Sequence, residues 1–322
     1  MTSYLIKRLL GLVPLLLCIS FLSFWLVRLA PGSPFDRERA PASPEIERAL
    51  RARYHQDEPL WKQYVRYLGA LREPDAQGRA HWVGGGLLQG DLGPSLKYRN
   101  HTVNDIVAQG LPISMSLSLL AFCFAIGLGV PLGVYTAQRR GEWGDYVGSF
   151  FALLAFCVPG LVVGPLLVMG FALRWGWFPV ALWTTPWHAV LPTITLGLYF
   201  AGRVARLMRE GMTEALREGY IVTARAKGLS ESRVVFRHAL RLAILPVVSY
   251  SGPLLADLLT GSFVVESLFR IPGIGVFMVN SALALDYNLV VGLALVYAVL
   301  LIVLNLIVDV TYSLLDRRVK LG

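Results

Sequence analysis

Residues 106–138 carry no charged side chain, and neither do 147–173, 175–202 or 287–308. About 20 mostly apolar residues cross the hydrocarbon of a bilayer, and their backbone polar groups are satisfied there only in helices or closed barrels. Runs of this length predict an all-α integral membrane fold. Six transmembrane helices are expected, at about 9–29, 113–136, 149–172, 189–208, 242–264 and 287–308. Pro179, Pro186 and Pro192 break the run 175–202, so only its last part continues into a helix. The first run follows Lys7 and Arg8, as a signal peptide would. Its apolar region is too long for one and no small-residue cleavage site follows, so a retained helix with its N-terminus inside is expected.

Charge sets the orientation. The net charge is +9, yet segment 30–110 holds eleven basic and ten acidic residues. The excess lies at Lys7 and Arg8, at nine basic against four acidic residues across 203–241, and at Arg317, Arg318 and Lys320. Basic residues concentrate in cytoplasmic loops. Loops 137–148 and 209–241 are therefore expected inside, loops 173–188 and 265–286 outside, and both termini in the cytoplasm. The large loop after the first helix is too long for the rule and falls outside by parity. The expected organisation is 1–29 as N-terminal segment and first helix, 30–110 as extracytoplasmic cap, 111–312 as a five-helix core, and 313–322 as a cytoplasmic tail.

Composition narrows the function. The chain is 55% hydrophobic and 16% charged, against about 45–50% and 25% in soluble domains. That excludes a disordered protein and argues against an ordinary soluble enzyme. There is no P-loop, HExxH or GxSxG, and the five histidines form no metal-ligand spacing. No catalytic residue, metal site or resident cofactor is expected. Cys18, Cys123 and Cys157 fall within apolar runs and read as small buried hydrophobes.

Within the outer loop, Asp57 is placed to cap a helix with Pro59 in its first turn, and Gly84–Gly86 and Gly90–Pro94 are turn material. Gly129 with Gly133, and Gly160 with Gly164, have the spacing of close helix packing. Asp257 stands alone in the fifth span. An ionisable residue there is either a functional group in a substrate pathway or half of a structural pair.

Segment 209–246 is the most informative. A helical pattern runs to Lys227, Gly228 is a plausible left-handed stop, and Ser230 can cap a second helix. Tyr220, Ala224 and Gly228 recur every four residues, which predicts one small face suited to another protein's groove. A basic helix-turn-helix tethered between two spans is poorly placed for DNA, so no nucleic-acid partner is expected.

The stretch Tyr220-Ile-Val-Thr-Ala-Arg-Ala-Lys-Gly-Leu229, with Arg237-His-Ala-Leu240 and Leu245-Pro246, resembles the coupling loop of ABC-importer permeases of the dipeptide and oligopeptide group. Arg28-Leu-Ala-Pro-Gly-Ser-Pro34, Gly90-Asp-Leu-Gly-Pro-Ser95, Val103-Asn-Asp105, and Val265-Glu266 with Ile271-Pro-Gly-Ile-Gly275 resemble further motifs of that group. Their order and spacing are nearest to the B subunit of oligopeptide importers. Val222 and Thr223 depart from the general Glu-Ala-Ala motif of such loops.

The resemblance implies a type I importer permease in a bacterial cytoplasmic (inner) membrane. Its expected partners are a homologous second permease, two P-loop ATPase subunits that use ATP and Mg, an extracytoplasmic substrate-binding protein, and a peptide substrate. It also implies that Tyr220, Thr223, Ala224, Arg225, Ala226, Lys227 and Gly228 contact an ATPase. The alternative is a secondary transporter driven by an ion gradient.

Overall fold

A computed structural model describes residues 2–29, 44–74, 80–82, 85–98 and 100–315. The Pro31 and Pro34 exit motif, Gly84 and the basic tail at 317–320 lie outside the described residues. The chain forms two compact units, Met1–Pro112 with Gly273–Val299, and Ile113–Pro272 with Leu300–Gly322.

In the first unit, α1 (Thr2–Leu29) is followed by α2 (Pro44–Arg53) and α3 (Leu60–Leu68). The α3 helix starts at Pro59 without a side-chain cap, so the expected cap from Asp57 does not form. Its Tyr64 and Tyr67 lie against Phe24 of α1, at ring-centroid distances of 5.1 and 6.0 Å, and Tyr64 bonds Ser20 at 3.0 Å. A hairpin of three-residue strands, β1 (Arg72–Pro74) and β2 (Ala80–Trp82), pairs antiparallel with Arg72 opposite Trp82. It is a small β element in a chain whose fold was expected to be all-α.

Two further helices complete this unit, α12 (Ile274–Ala284) and the start of α13 (Tyr287–Leu315), against the first turns of α4 (Val103–Gln138). Val103, Ile106, Ile274, Leu289 and Leu293 form their buried cluster. The Gly90–Ser95 motif has a plain structural use. Gly90 and Gly93 adopt φ of 76° and 86°, values that only glycine reaches without strain. The resulting turn lets Leu92 N–H donate to Asn104 Oδ1, and Asn104 Nδ2 to the Gly90 carbonyl.

In the second unit, α5 (Trp143–Cys157) and α6 (Gly160–Leu167, continued by a π-helical turn Val168–Arg174) are bent by 102° at their junction. The expectation was a single span at about 149–172, with Pro159 as a kinking proline. Pro159 cannot donate to the helix, and it forces Val158 into an extended conformation (φ −85°, ψ 119°), so the chain turns there.

The centre of this unit is α7 (Val190–Ala215), with Leu191, Val204, Met208 and Met212 at most 1% exposed. Glycines set its packing distances. A Cβ on Gly129 of α4 would stand 2.7 Å from the Ala201 carbonyl oxygen, and one on Gly197 of α7 would stand 2.8 Å from that of Ala121. The second GxxxG pair behaves similarly, Gly164 lying against Leu268 and Thr195.

Beyond α7 come α8 (Gly219–Ala226), α9 (Glu231–Arg233), a π-helical stretch Val234–Ala239, α10 (Leu240–Ala243) and α11 (Leu245–Phe269).

Among the described residues, four helices are long and apolar enough to cross a membrane, with windows in α1, α4, α11 and α13, and the bent α5–α6 pair makes a fifth. The expected span at 189–208 is the front of α7, which does not meet the same measure. The cysteines correct another expectation. All three are free and exposed on this chain, as are Phe150, Phe151, Leu161 and Leu166. Exposed apolar side chains in this number are expected to be covered by lipid or another protein.

Candidate functional site

The segment between α7 and α11 does not run as one helix to Lys227. The α7 helix ends at Ala215, a turn follows, and α8 is a separate two-turn helix. It is anchored by Ile221 and Ala224, both buried in the core cluster with Met212, Val234 and Val235. This splits the predicted face. Ala224 points inward, while Tyr220 and Gly228 are exposed. Four-residue periodicity grouped these residues on one face but could not show which of them meets the core.

The outward face of α8 is instead Gly219, Val222, Thr223 and Ala226, all exposed. Tyr220, Arg225 and Lys227 flank it. Apart from Val222 these side chains are small, and Thr223 folds its hydroxyl back onto the Gly219 carbonyl at 3.0 Å. Phe236, 63% exposed, and Leu242, 44% exposed, add apolar surface in the same segment.

The C-terminal end of this short helix is tied twice. Gly228 has φ 76°, its N–H donates to the Arg225 carbonyl at 2.9 Å, and Leu229 N–H donates to that of Ala224 at 3.4 Å. This is the double bond of a Schellman turn, with glycine at the left-handed position as expected. Ser230 occupies the start of α9 but makes no capping bond. Arg225 then clasps Glu231 through Nε–Oε2 at 3.1 Å and Nη2–Oε1 at 2.6 Å. The guanidinium holds the Glu231 carboxyl below the usual range, so the clasp stays charged at neutral pH.

The base of α7 is fixed to α5 by a second fork. Arg209 Nε and Nη2 each reach a different oxygen of Asp145 at 2.8 Å. Asp145 is buried, and it also accepts from Gly141 N–H and Ser149 Oγ, both at 3.1 Å. The sequence reading passed over this pair, whose partners lie 64 residues apart.

Asp257 sits on α11 but is exposed, and its carboxylate has no hydrogen-bond or ion-pair partner among the described residues. The structural-pair reading therefore finds no pair among the described residues. Ser249, Pro253, Asp257, Thr260 and Ser267 are all exposed and recur at three-, four- or seven-residue steps. Ser249, Asp257, Thr260 and Ser267 thus place polar groups on the exposed side of the helix.

The buried carboxylate of α11 is a different one. Glu266 is 0% exposed and accepts from Ser114 Oγ at 2.7 Å and Ser262 Oγ at 2.8 Å. In the other unit Asp286, also 0% exposed, accepts from Ser95 Oγ, Leu96 N–H and Lys97 N–H, and its other oxygen caps α13 through Leu289 N–H at 3.2 Å. Neither carboxylate was a sequence-level site candidate. Glu266 was read as part of a turn motif, whereas α11 continues to Phe269.

Two family models match the sequence. One, the N-terminal part of a binding-protein-dependent transport system membrane component, covers residues 1–118. The other, the binding-protein-dependent transport system inner membrane component, covers residues 129–321. The oligopeptide transport system permease protein OppB of Haemophilus influenzae is 41% identical over 322 residues, 99% of this chain and 100% of that protein. The dipeptide transport system permease protein DppB of Bacillus subtilis is 39% identical over 321 residues, 100% of this chain and 99% of that protein. Among solved structures, an inward-facing form of the MetNI methionine ABC transporter aligns with a TM-score of 0.54 at 16% identity, over 66% of this chain and 97% of that one. At that identity the likeness concerns the fold alone.

Proposed function

Since the chain belongs to the family of inner membrane components of binding-protein-dependent transport systems, in its oligopeptide and dipeptide permease branch, we propose that it is the transmembrane subunit of an ATP-driven peptide importer. In this reading it lies in a bacterial cytoplasmic membrane with six spans, α7 supplying the sixth, and both termini inside. It forms the pathway with a homologous permease. It couples to ATPase subunits, which use ATP and Mg, through the segment 209–241. A binding protein delivers peptide from outside. Oligopeptides are the preferred cargo by the relatives' names.

The observation that carries this reading is α8, a short exposed helix with a small outward face. It is pinned by a Schellman turn and an ion pair, and rooted by Ile221 and Ala224 in the core around α7. A groove on an ATPase could receive Gly219, Val222, Thr223 and Ala226 with little steric resistance. A push on α8 would then pass through close-packed side chains to α7, because such interiors transmit strain. The exposed polar groups around Asp257 support a wet pathway along α11, where an unpaired carboxylate can stay hydrated. Family membership disfavours the ion-gradient alternative.

Gly228 is a poor place to test coupling, because any side chain there strains a left-handed backbone. Ala226 is better, being exposed and helical. Ala226→Glu is expected to leave the protein in the membrane at wild-type level, to lose co-purifying P-loop ATPase, and to lower ATP-dependent peptide uptake at least about tenfold. Wild-type uptake by that variant would refute the coupling role. Asp257→Asn is expected to lower uptake of peptides with a free amino terminus without changing protein level. Unchanged uptake would remove Asp257 from the pathway.

A further inference from the structure

The first unit contains a cavity of about 260 Å³ beside the C-terminal end of α1, lined in part by Arg28, Arg53, Arg66, Tyr67 and Asp91. Its charges are unevenly answered. Arg66 is bonded to Glu58 at 3.0 and 3.3 Å. Asp91 accepts from the Gly93 N–H at 2.9 Å. Arg28 and Arg53 have no carboxylate partner among the described residues.

Arg28 is nonetheless held in place. Its guanidinium lies 3.5 Å from the Phe24 ring centroid and 4.9 Å from that of Tyr287. Its Nε donates to Gln63 Oε1 at 3.2 Å and its Nη1 to the Phe24 carbonyl at 3.4 Å, leaving Nη2 without a hydrogen-bond acceptor among the described residues. Gln63 is itself fixed by donating to the carbonyls of Gln56 and Glu58.

The Tyr67 hydroxyl is buried with no hydrogen-bond partner among the described residues. Burial pushes its phenol well above the ordinary range, so it remains a neutral donor. A desolvated cation without a counter-ion and a buried hydroxyl without an acceptor are both unfavourable. One ligand offering several anionic oxygens would relieve both.

The position selects among such ligands. The apolar window of α1 runs from Leu10 to Leu29, so Arg28 stands where hydrocarbon gives way to head groups. Guanidinium groups bind phosphate oxygens through charge-assisted, often paired, hydrogen bonds.

We infer that this cavity binds a single phosphate group, held by the guanidinium groups of Arg28 and Arg53 and by the Tyr67 hydroxyl. The group belongs either to a phospholipid or to free phosphate. This inference does not depend on the cargo or on the coupling segment.

The full chain, purified in mild detergent with the subunits that accompany it, is titrated with phosphatidylglycerol and separately with sodium phosphate. Native mass spectrometry and thermal midpoint are the readouts. Wild type is expected to retain and be stabilised by at least one of them. Arg53→Gln and Tyr67→Phe are each expected to weaken that binding about tenfold, the effect of losing one hydrogen bond to a charged group. Response to phosphatidylglycerol alone identifies a lipid phosphate, and response to both shows that the phosphate suffices. Arg28→Gln also loses its ring stacking, so the other two variants, with wild-type midpoints when unliganded, carry the test. Equal binding by wild type and both variants, or no binding of either probe, overturns the inference.

Discussion

Three buried carboxylates, Asp145, Glu266 and Asp286, are each satisfied by donors from distant parts of the sequence. Asp286 illustrates the cost of removing one. Asp286→Ala would leave Ser95 Oγ and the N–H groups of Leu96 and Lys97 facing a cavity without an acceptor. The expected loss is about 3 kcal/mol, read as a lowered thermal midpoint and less protein in the membrane. Ser95→Ala, which leaves the carboxylate three backbone donors, should cost less. None of the three carboxylates could be picked out as a site beforehand. Their donors lie up to 191 residues away, and an acidic residue near a span end looks the same in sequence whether it is solvated or enclosed. Asp257 was conspicuous because its neighbours are apolar, but its isolation in sequence said nothing about which way it faces.

Helices were legible where a single force dominates. The charge-free runs located α4 and α13 because leaving water is a property of each residue alone. Bends and faces were harder. Pro159 was visible, but a proline within a span either kinks or breaks it, and the 102° turn depends on what packs on each arm. The α8 helix was expected to present Ala224 outward, and instead Ala224 is one of its two anchors. Glycine spacing at Gly129 and Gly133 did signal close packing, against α7. Gly129→Leu should therefore prevent α4 and α7 from meeting and destabilise the protein by more than about 2 kcal/mol. Gly127→Leu, with nothing within 4 Å, is the near-neutral control. Thermal midpoints of the two variants in the same detergent check the contrast.

For the whole molecule, the positive-inside reading places α8 and the α6–α7 connection on opposite sides of the membrane. In a background with the three cysteines replaced by alanine, Tyr220→Cys should react with a membrane-impermeant maleimide only in inside-out vesicles. Trp177→Cys should react only in right-side-out ones, and the reverse pattern would invert the topology. One further consequence follows from the Asp286 network, and it concerns time. The donors at Ser95, Leu96 and Lys97 are synthesised 191, 190 and 189 residues before their acceptor. At roughly 5–20 residues per second a ribosome needs roughly 10–40 s to cover that distance. Throughout that interval the amino-terminal unit lacks the Gly273–Val299 segment that closes it. The nascent chain therefore waits half-built while the second unit emerges, and stalled or truncated translation products should be open to proteases at the cap before anywhere else.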